Sequence, residues 1–386
     1  MRVPSDLPPP RRERTSSRRP VRRARVAILL AVTVLVGLAF SASRVADAYV
    51  DALWYRSVGQ SDVFWEVIRT ELVLAIGFSA GFAIFALTNL VIADRLAPLI
   101  TPDGTEEIRD RYRAVVGTHH RIARAAVAVG FGLIAGLPTA GRWQEWMLFR
   151  NATRFGTRDR QFDTDVGFYV FRLPFLSFLV SWLFASFVIV TLLTAIAHYL
   201  NGGIRVQVAG RRVTSHVKLH LSALLGVLAL LKAADYWLQR FELTTSQRGY
   251  IGGAGFTDIE ASLPVLQLLI LIAVLAAVLF VANVRQQGFR LPVMAIGLWS
   301  VVAVVAGAIY PTVVQRFQVE PNQSTREAPY IVRNILATRL AMNLDEVEVV
   351  PISVGAVSGA DVEAGVDAFA DTRLLDPQII GPTYQV

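Results

Sequence analysis

Apolar residues in this chain come in long runs separated by charged connections, and the lengths of those runs are the first structural signal. A helix crossing a bilayer core of roughly 30 Å needs roughly 20 predominantly apolar residues. Seven runs approach that length, near Val26–Ser43, Leu72–Ala93, Ala123–Ala140, Phe175–Ala197, Leu219–Leu238, Leu263–Asn283 and Pro292–Val313. The pattern predicts an all-α membrane protein. A basic, disordered cytoplasmic tail over 1–25 leads into a bundle of about seven transmembrane helices over 26–313, and residues 314–386 begin an extracytoplasmic region.

Composition agrees. With 54% hydrophobic and 18% charged residues, the chain is too apolar for soluble domains of its size. All but two of its 38 basic residues are arginine, the exceptions being Lys218 and Lys232. That skew reads as coding bias, so the basic balance predicts no nucleic-acid partner. The absence of cysteine excludes disulfides, thiolate metal sites, iron–sulfur clusters and cysteine nucleophiles.

Charge also gives a direction. The tail before Val26 crowds Arg11, Arg12, Arg14, Arg18, Arg19, Arg22, Arg23 and Arg25 together, and such clusters stay on the cytoplasmic side. Alternation from there predicts a multi-pass protein of the cell membrane with a cytoplasmic N-terminus and an extracytoplasmic C-terminus. The connection from Gly141 to Pro174 dissents, with six arginines against four acids. The basic, acid-free connection from Tyr199 to Lys218 restores the order. Ser41, Ala42 and Ser43 would also suit a secretory signal, but the first apolar run is long for one.

Lipid supplies no hydrophobic force between helices, so small residues that allow close backbone approach mark contacts. Gly77 and Gly81, with Gly132 and Gly136, predict packing of the second span on the third. Trp54, Trp65, Trp143, Trp146 and Trp237 all fall at outer span ends, whereas an interfacial belt decorates both surfaces. This one-sided set predicts an outer aromatic platform, against the plainer reading of belt residues. Envelope protein partners at the outer face, and the lipid bilayer itself, are the partners expected.

Candidate chemistry is sparse. Lys232 and Asp235 lie three apart on one face of the fifth span, so they form either a structural ion pair or part of an ion path. His119, His120, His198, His216 and His220 fall at inner span ends. His216 and His220 share a face, but two imidazoles make an incomplete metal site, and helix ends facing lipid headgroups are the expectation. Gly249, Gly252, Gly253 and Gly255 lack phosphate-loop spacing and read as an outer turn. Asp163, Asp165, Asp258 and Glu260 read as solvated outer acids. No catalytic, cofactor-binding or metal motif emerges, and no cofactor is expected.

Five composite stretches carry a family resemblance: Trp143-Gln144-Glu145-Trp146 to Asn151; Asp165-Val166-Gly167-Phe168-Tyr169 to Phe175; Asp235-Tyr236-Trp237-Leu238 with Arg240 and Glu242; Tyr310-Pro311 through Gln315-Arg316-Phe317 to Asn322; and Pro329-Tyr330-Ile331-Val332-Arg333-Asn334 to Arg339. They resemble the N-terminal membrane part of the large bacterial membrane proteins grouped as uncharacterised protein family number 0182. Arg160 and Asp163 stand where the resemblance implies proline and glycine, and Met342 where it implies tyrosine. It also implies a large extracytoplasmic continuation past Val386, but no established activity. Three functions stay open: an anchor for an envelope-acting outer domain, a transporter or channel using Lys232 and Asp235, and a membrane enzyme whose active site lies in the outer region.

Overall fold

The computed structural model describes residues 42, 44–97, 117–204, 213–248, 252–283, 290–351, 355 and 358–369. The tail over 1–25 lies outside these residues, as does the first predicted span apart from Ala42. The described residues are helical and contain no strand, only isolated bridges between Arg158 and Asp165 and between Ile204 and Val213. Helix α1 covers 44–57 and ends in a turn at Gly59, whose φ of 72° suits glycine. There follow α2 (Ser61–Arg95), α3 (His120–Gly136), α4 (Trp143–Arg150), α5 (Leu173–Leu200), α6 (Ser215–Glu242), α7 (Leu263–Ala282), α8 (Arg290–Val304), α9 (Tyr310–Val314) and α10 (Gln323–Ala341).

Six helices among the described residues are long and apolar enough to cross a membrane: Ser61–Arg95, His120–Arg150, Phe168–Leu200, Ser215–Thr245, Asp258–Ala282 and Leu291–Ala341. The second to seventh apolar runs fall on them. Most of the helices outrun the apolar segments because backbone hydrogen bonding does not stop where hydrocarbon does. Amphipathic stretches such as Trp143–Arg150 extend the helical ladder into a more polar setting.

Four turns in this helical framework are wider than α, at Phe168–Arg172, Asp258–Ser262, Val305–Ile309 and Gln315–Val319. Each is followed two residues later by proline, at Pro174, Pro264, Pro311 and Pro321. Proline has no N–H, and its ring presses on the carbonyl four residues back. The wide turn relieves this. The residue just before each proline donates five residues back, as Leu173 N–H does to Phe168 O and Tyr310 N–H to Val305 O.

The packing is inverted relative to a soluble bundle. Ile76 and Ile134 are 65% and 72% exposed, whereas Ser186, Thr194 and His198 are at most 2% exposed. Large apolar groups outside and polar groups inside are what a hydrocarbon solvent selects. Gly132 and Gly136 bring α3 onto α2: a Cβ on Gly132 would lie 2.7 Å from the Ser79 carbonyl oxygen, and one on Gly136 would overlap the Ser79 backbone. Gly77 and Gly81 take no part, having nothing within 4 Å of their would-be Cβ atoms. The contact predicted from paired glycines is therefore glycine against Ser79 and Ala83.

The chain divides into two units, Met1–Ala328 and Pro329–Val386. The bundle belongs to the first. In the second, a short helix at Gly359–Ala364 opens with a reciprocal cap between Ser358 and Asp361. The Ser358 side chain and backbone hold the Asp361 carboxyl below its ordinary range.

Candidate functional site

Among the described residues, two gatherings of ionisable groups tie the long helices of the bundle internally. The first is the histidine end, where the C-terminal parts of α2 and α5 meet the N-terminal parts of α3 and α6. Asn201, Gly202 and Gly203 close α5 there, with Gly202 at φ 82°. The Asn201 side chain donates to Asp94 Oδ1 at 2.7 Å, and Asp94 also pairs with Arg124 of α3.

Beside this knot runs a directed hydrogen-bond chain. Asn89 Nδ2 donates to the Phe85 carbonyl at 2.8 Å, leaving Asn89 Oδ1 to accept from His220 Nε2 at 2.9 Å. His220 Nδ1 must then accept, and its partner is His198 Nε2 at 3.1 Å, the rings meeting edge-on. These tautomers follow from the hydrogen bonds. His198 Nδ1 is left inside the protein, buried without a hydrogen-bond partner. Chemically this is a directed chain of a carboxamide and two imidazoles that ends at a buried ring nitrogen, His198 Nδ1. Structurally it ties α2, α5 and α6 together.

His198 is therefore not a headgroup-facing helix end. It is fully buried, while His216, its expected counterpart on the His220 face, is exposed. A signal for this was present: Ser186, Val190, Thr194 and His198 recur every fourth residue as a small and polar stripe in an otherwise bulky span.

The second place is the predicted pair on α6. Lys232 Nζ lies 2.6 Å from Asp235 Oδ2, and the same oxygen accepts from Gln239 Nε2 at 2.8 Å. The ammonium also sits 4.6 Å from the Tyr236 ring centre and 5.8 Å from that of Phe184. Tyr236 OH accepts from Trp299 Nε1 at 3.2 Å, which joins α6 to α8.

At the opposite, tryptophan end, four of the five tryptophans enter ring clusters. Trp54 and Trp65 join Tyr55 and Phe64, where α1 turns into α2. Trp146 packs on Phe149 and Phe175 at 6.2 and 5.1 Å, and Trp237 on Phe241 at 5.1 Å. Trp143 is half-buried at the start of α4.

The acids of this end serve local turns. Asp165 accepts from the backbone N–H groups of Phe155, Gly156 and Gly167. Burial pushes its pKa up, but these bonds and the charge of Arg154 outweigh that and hold it below the ordinary range. Asp163 pairs with Arg158 at 2.8 Å and adopts a φ of 51°, the conformation that explains why the resemblance implies glycine there. Asp258 is buried, accepting from Gly255 N–H at 3.2 Å with Arg248 nearby, so it is not a solvated acid.

The loop carrying Asp258 also grips the last helical run. Thr257 Oγ1 donates to Gln315 Oε1 at 2.5 Å, Phe256 N–H donates to Glu327 Oε2 at 2.9 Å, and Arg326 lies over the Phe256 ring. A Cβ on Gly255 would sit 3.1 Å from the Glu327 carboxylate, so glycine lets the loop approach this closely. Gly252 and Gly253 lie in the turn ahead of it, with Gly253 at φ 133°, and Gly249 lies outside the described residues. Among the described residues, no three His, Asp or Glu side chains converge as a metal site would require.

A helical bundle with an apolar exterior and ionisable groups turned inward defines a polytopic α-helical membrane protein. The chain belongs to the uncharacterised protein family UPF0182, whose model matches residues 27–386. It is 42% identical over 374 residues to a UPF0182 protein of Frankia casuarinae, covering 96% of this chain and 37% of the relative. A UPF0182 protein of Streptomyces coelicolor is 37% identical over 385 residues, covering 98% and 38%. The chain thus spans little more than a third of the length of these curated relatives. No solved structure matches it.

Proposed function

We propose that this chain is the membrane base of a larger cell-envelope protein. Its N-terminus is cytoplasmic, its tryptophan end faces outward, and the region after the last span works outside by binding or assembling envelope partners. The observation that carries this reading is the helical run Leu291–Ala341, whose 51 residues are more than twice the roughly 20 that a bilayer core requires. Its first part is apolar and its later part, from Gln323, is rich in polar and charged residues. The Phe256–Asp258 loop clasps it where it leaves the bundle, at Gln315 and Glu327. A span that continues as a gripped polar helix suits a stalk. The greater length of the relatives and the arginine cluster before Val26 support the same arrangement.

Protease added to the outside of intact spheroplasts tests this. The expected result is cleavage beyond Asn343 with a protected fragment carrying the bundle. Cleavage there only after the membrane is opened would overturn the outward assignment.

A further inference from the structure

Along the flank of α2, between it and α5, runs an apolar groove of about 580 Å³. Trp146 and Phe175 line it toward the tryptophan end, Phe85 and Phe187 toward the histidine end, and Gly77 and Gly81 between them. Nothing lies within 4 Å of a Cβ built on either glycine, so another backbone could approach α2 closely there. Any apolar face is at home in lipid, so the groove's occupant has to be sought in the chain itself.

Connectivity supplies a candidate. Helices α1 and α2 meet at the Gly59 turn, where the Tyr55 and Phe64 rings lie 5.9 Å apart. The sequence is matched on the two sides of that turn. Charged positions come first on both, reaching Glu71 after it and Arg44 before it. Beyond them the apolar runs Leu72–Ala93 and Val26–Ser43 cover nearly the same distances from Gly59, and arginine follows each, at Arg95 and at Arg25. Within the first run Thr33, Gly37 and Ser41 recur every fourth residue, which sets three small side chains on one helical face. Ser41 and Gly77 each lie 18 residues from Gly59, and Gly37 and Gly81 each lie 22. Two helices of equal rise folded back at Gly59 therefore bring these small residues level with the two open glycines.

We infer that this groove is the seat of the chain's own first apolar run, Val26–Ser43, which returns antiparallel along α2 with Gly37 and Ser41 toward Gly81 and Gly77. Both faces are small there, so a methyl added to Gly77 still fits. The run is then a resident span that covers the open flank of α2, not a removable secretory signal. This holds whichever way the bundle faces.

The test is disulfide formation in the full chain in native membranes, where the absence of natural cysteine leaves no background. A disulfide needs Cα atoms within about 7 Å of each other. Gly37→Cys with Gly81→Cys, and Ser41→Cys with Gly77→Cys, are expected to join on mild oxidation, read as loss of both maleimide–polyethylene-glycol tags from a chain of monomer size. Leu35→Cys, on the opposite face of the run, should not join Gly81→Cys. Leu271→Cys, on a side of α7 that is 64% exposed, should not join Gly37→Cys. The two joining pairs are independent, so misfolding of one variant does not decide the outcome. Disulfide-linked dimers would put a second copy in the groove and overturn the inference. No joining from any position between Thr33 and Ser41 would leave the groove to lipid and overturn it too, as would a mature chain that begins after Ser43.

Discussion

Gly136→Ala will cost the bundle about 3 kcal/mol, read as a loss of thermal stability and of monodisperse protein in detergent. A single added carbon there would overlap the Ser79 backbone, and backbone cannot rotate aside as a side chain can. Helices α2 and α3 must then separate, which also strains the Trp182 Nε1 donation to the Ala135 carbonyl at 2.9 Å. Gly77→Ala is the matched control. Its new Cβ meets nothing within 4 Å, so the change should be neutral or stabilise by up to about 1 kcal/mol through helix propensity. Equal losses in the two variants would show that the α2–α3 contact is not organised around Gly136.

His220→Leu is expected to have a comparable effect for a different reason. It strands two buried polar groups, the His198 Nε2–H and Asn89 Oδ1, each costing about 1–3 kcal/mol when left unpaired. The loss should therefore reach about 3 kcal/mol in the same thermal assay. His216→Leu, one turn away on the same helix but exposed, should change stability by no more than about 0.5 kcal/mol. A His220 variant as stable as the His216 variant would contradict the hydrogen-bond chain.

The contrast between those histidines shows what sequence could and could not say. Runs of apolar residues are long-range averages, so the second to seventh spans were readable, and so was the local Lys232–Asp235 pairing, because a three-residue helical offset fixes it. The approach of His198 to His220 depends on how two helices rotate about their own axes, and the connection between them does not determine that. The clue lay in the inward stripe from Ser186 to His198, since in lipid the polar face of a span is its buried face. Gly77 and Gly81 misled for the same reason: spacing identifies a smooth face but not its partner. Helix ends were the least legible, because Trp143–Arg150 is helical yet not apolar enough to register as part of a span.

The packing gives a polar-cored bundle whose Phe256–Asp258 loop grips the last helical run at Gln315 and Glu327, and the proposal sets its tryptophan end outward. Reporters active only outside or only inside the cytoplasm, fused after Ala140, His216 and Val386, test it most directly. The account predicts an external signal at Ala140 and Val386 and a cytoplasmic one at His216; a cytoplasmic Val386 would contradict it.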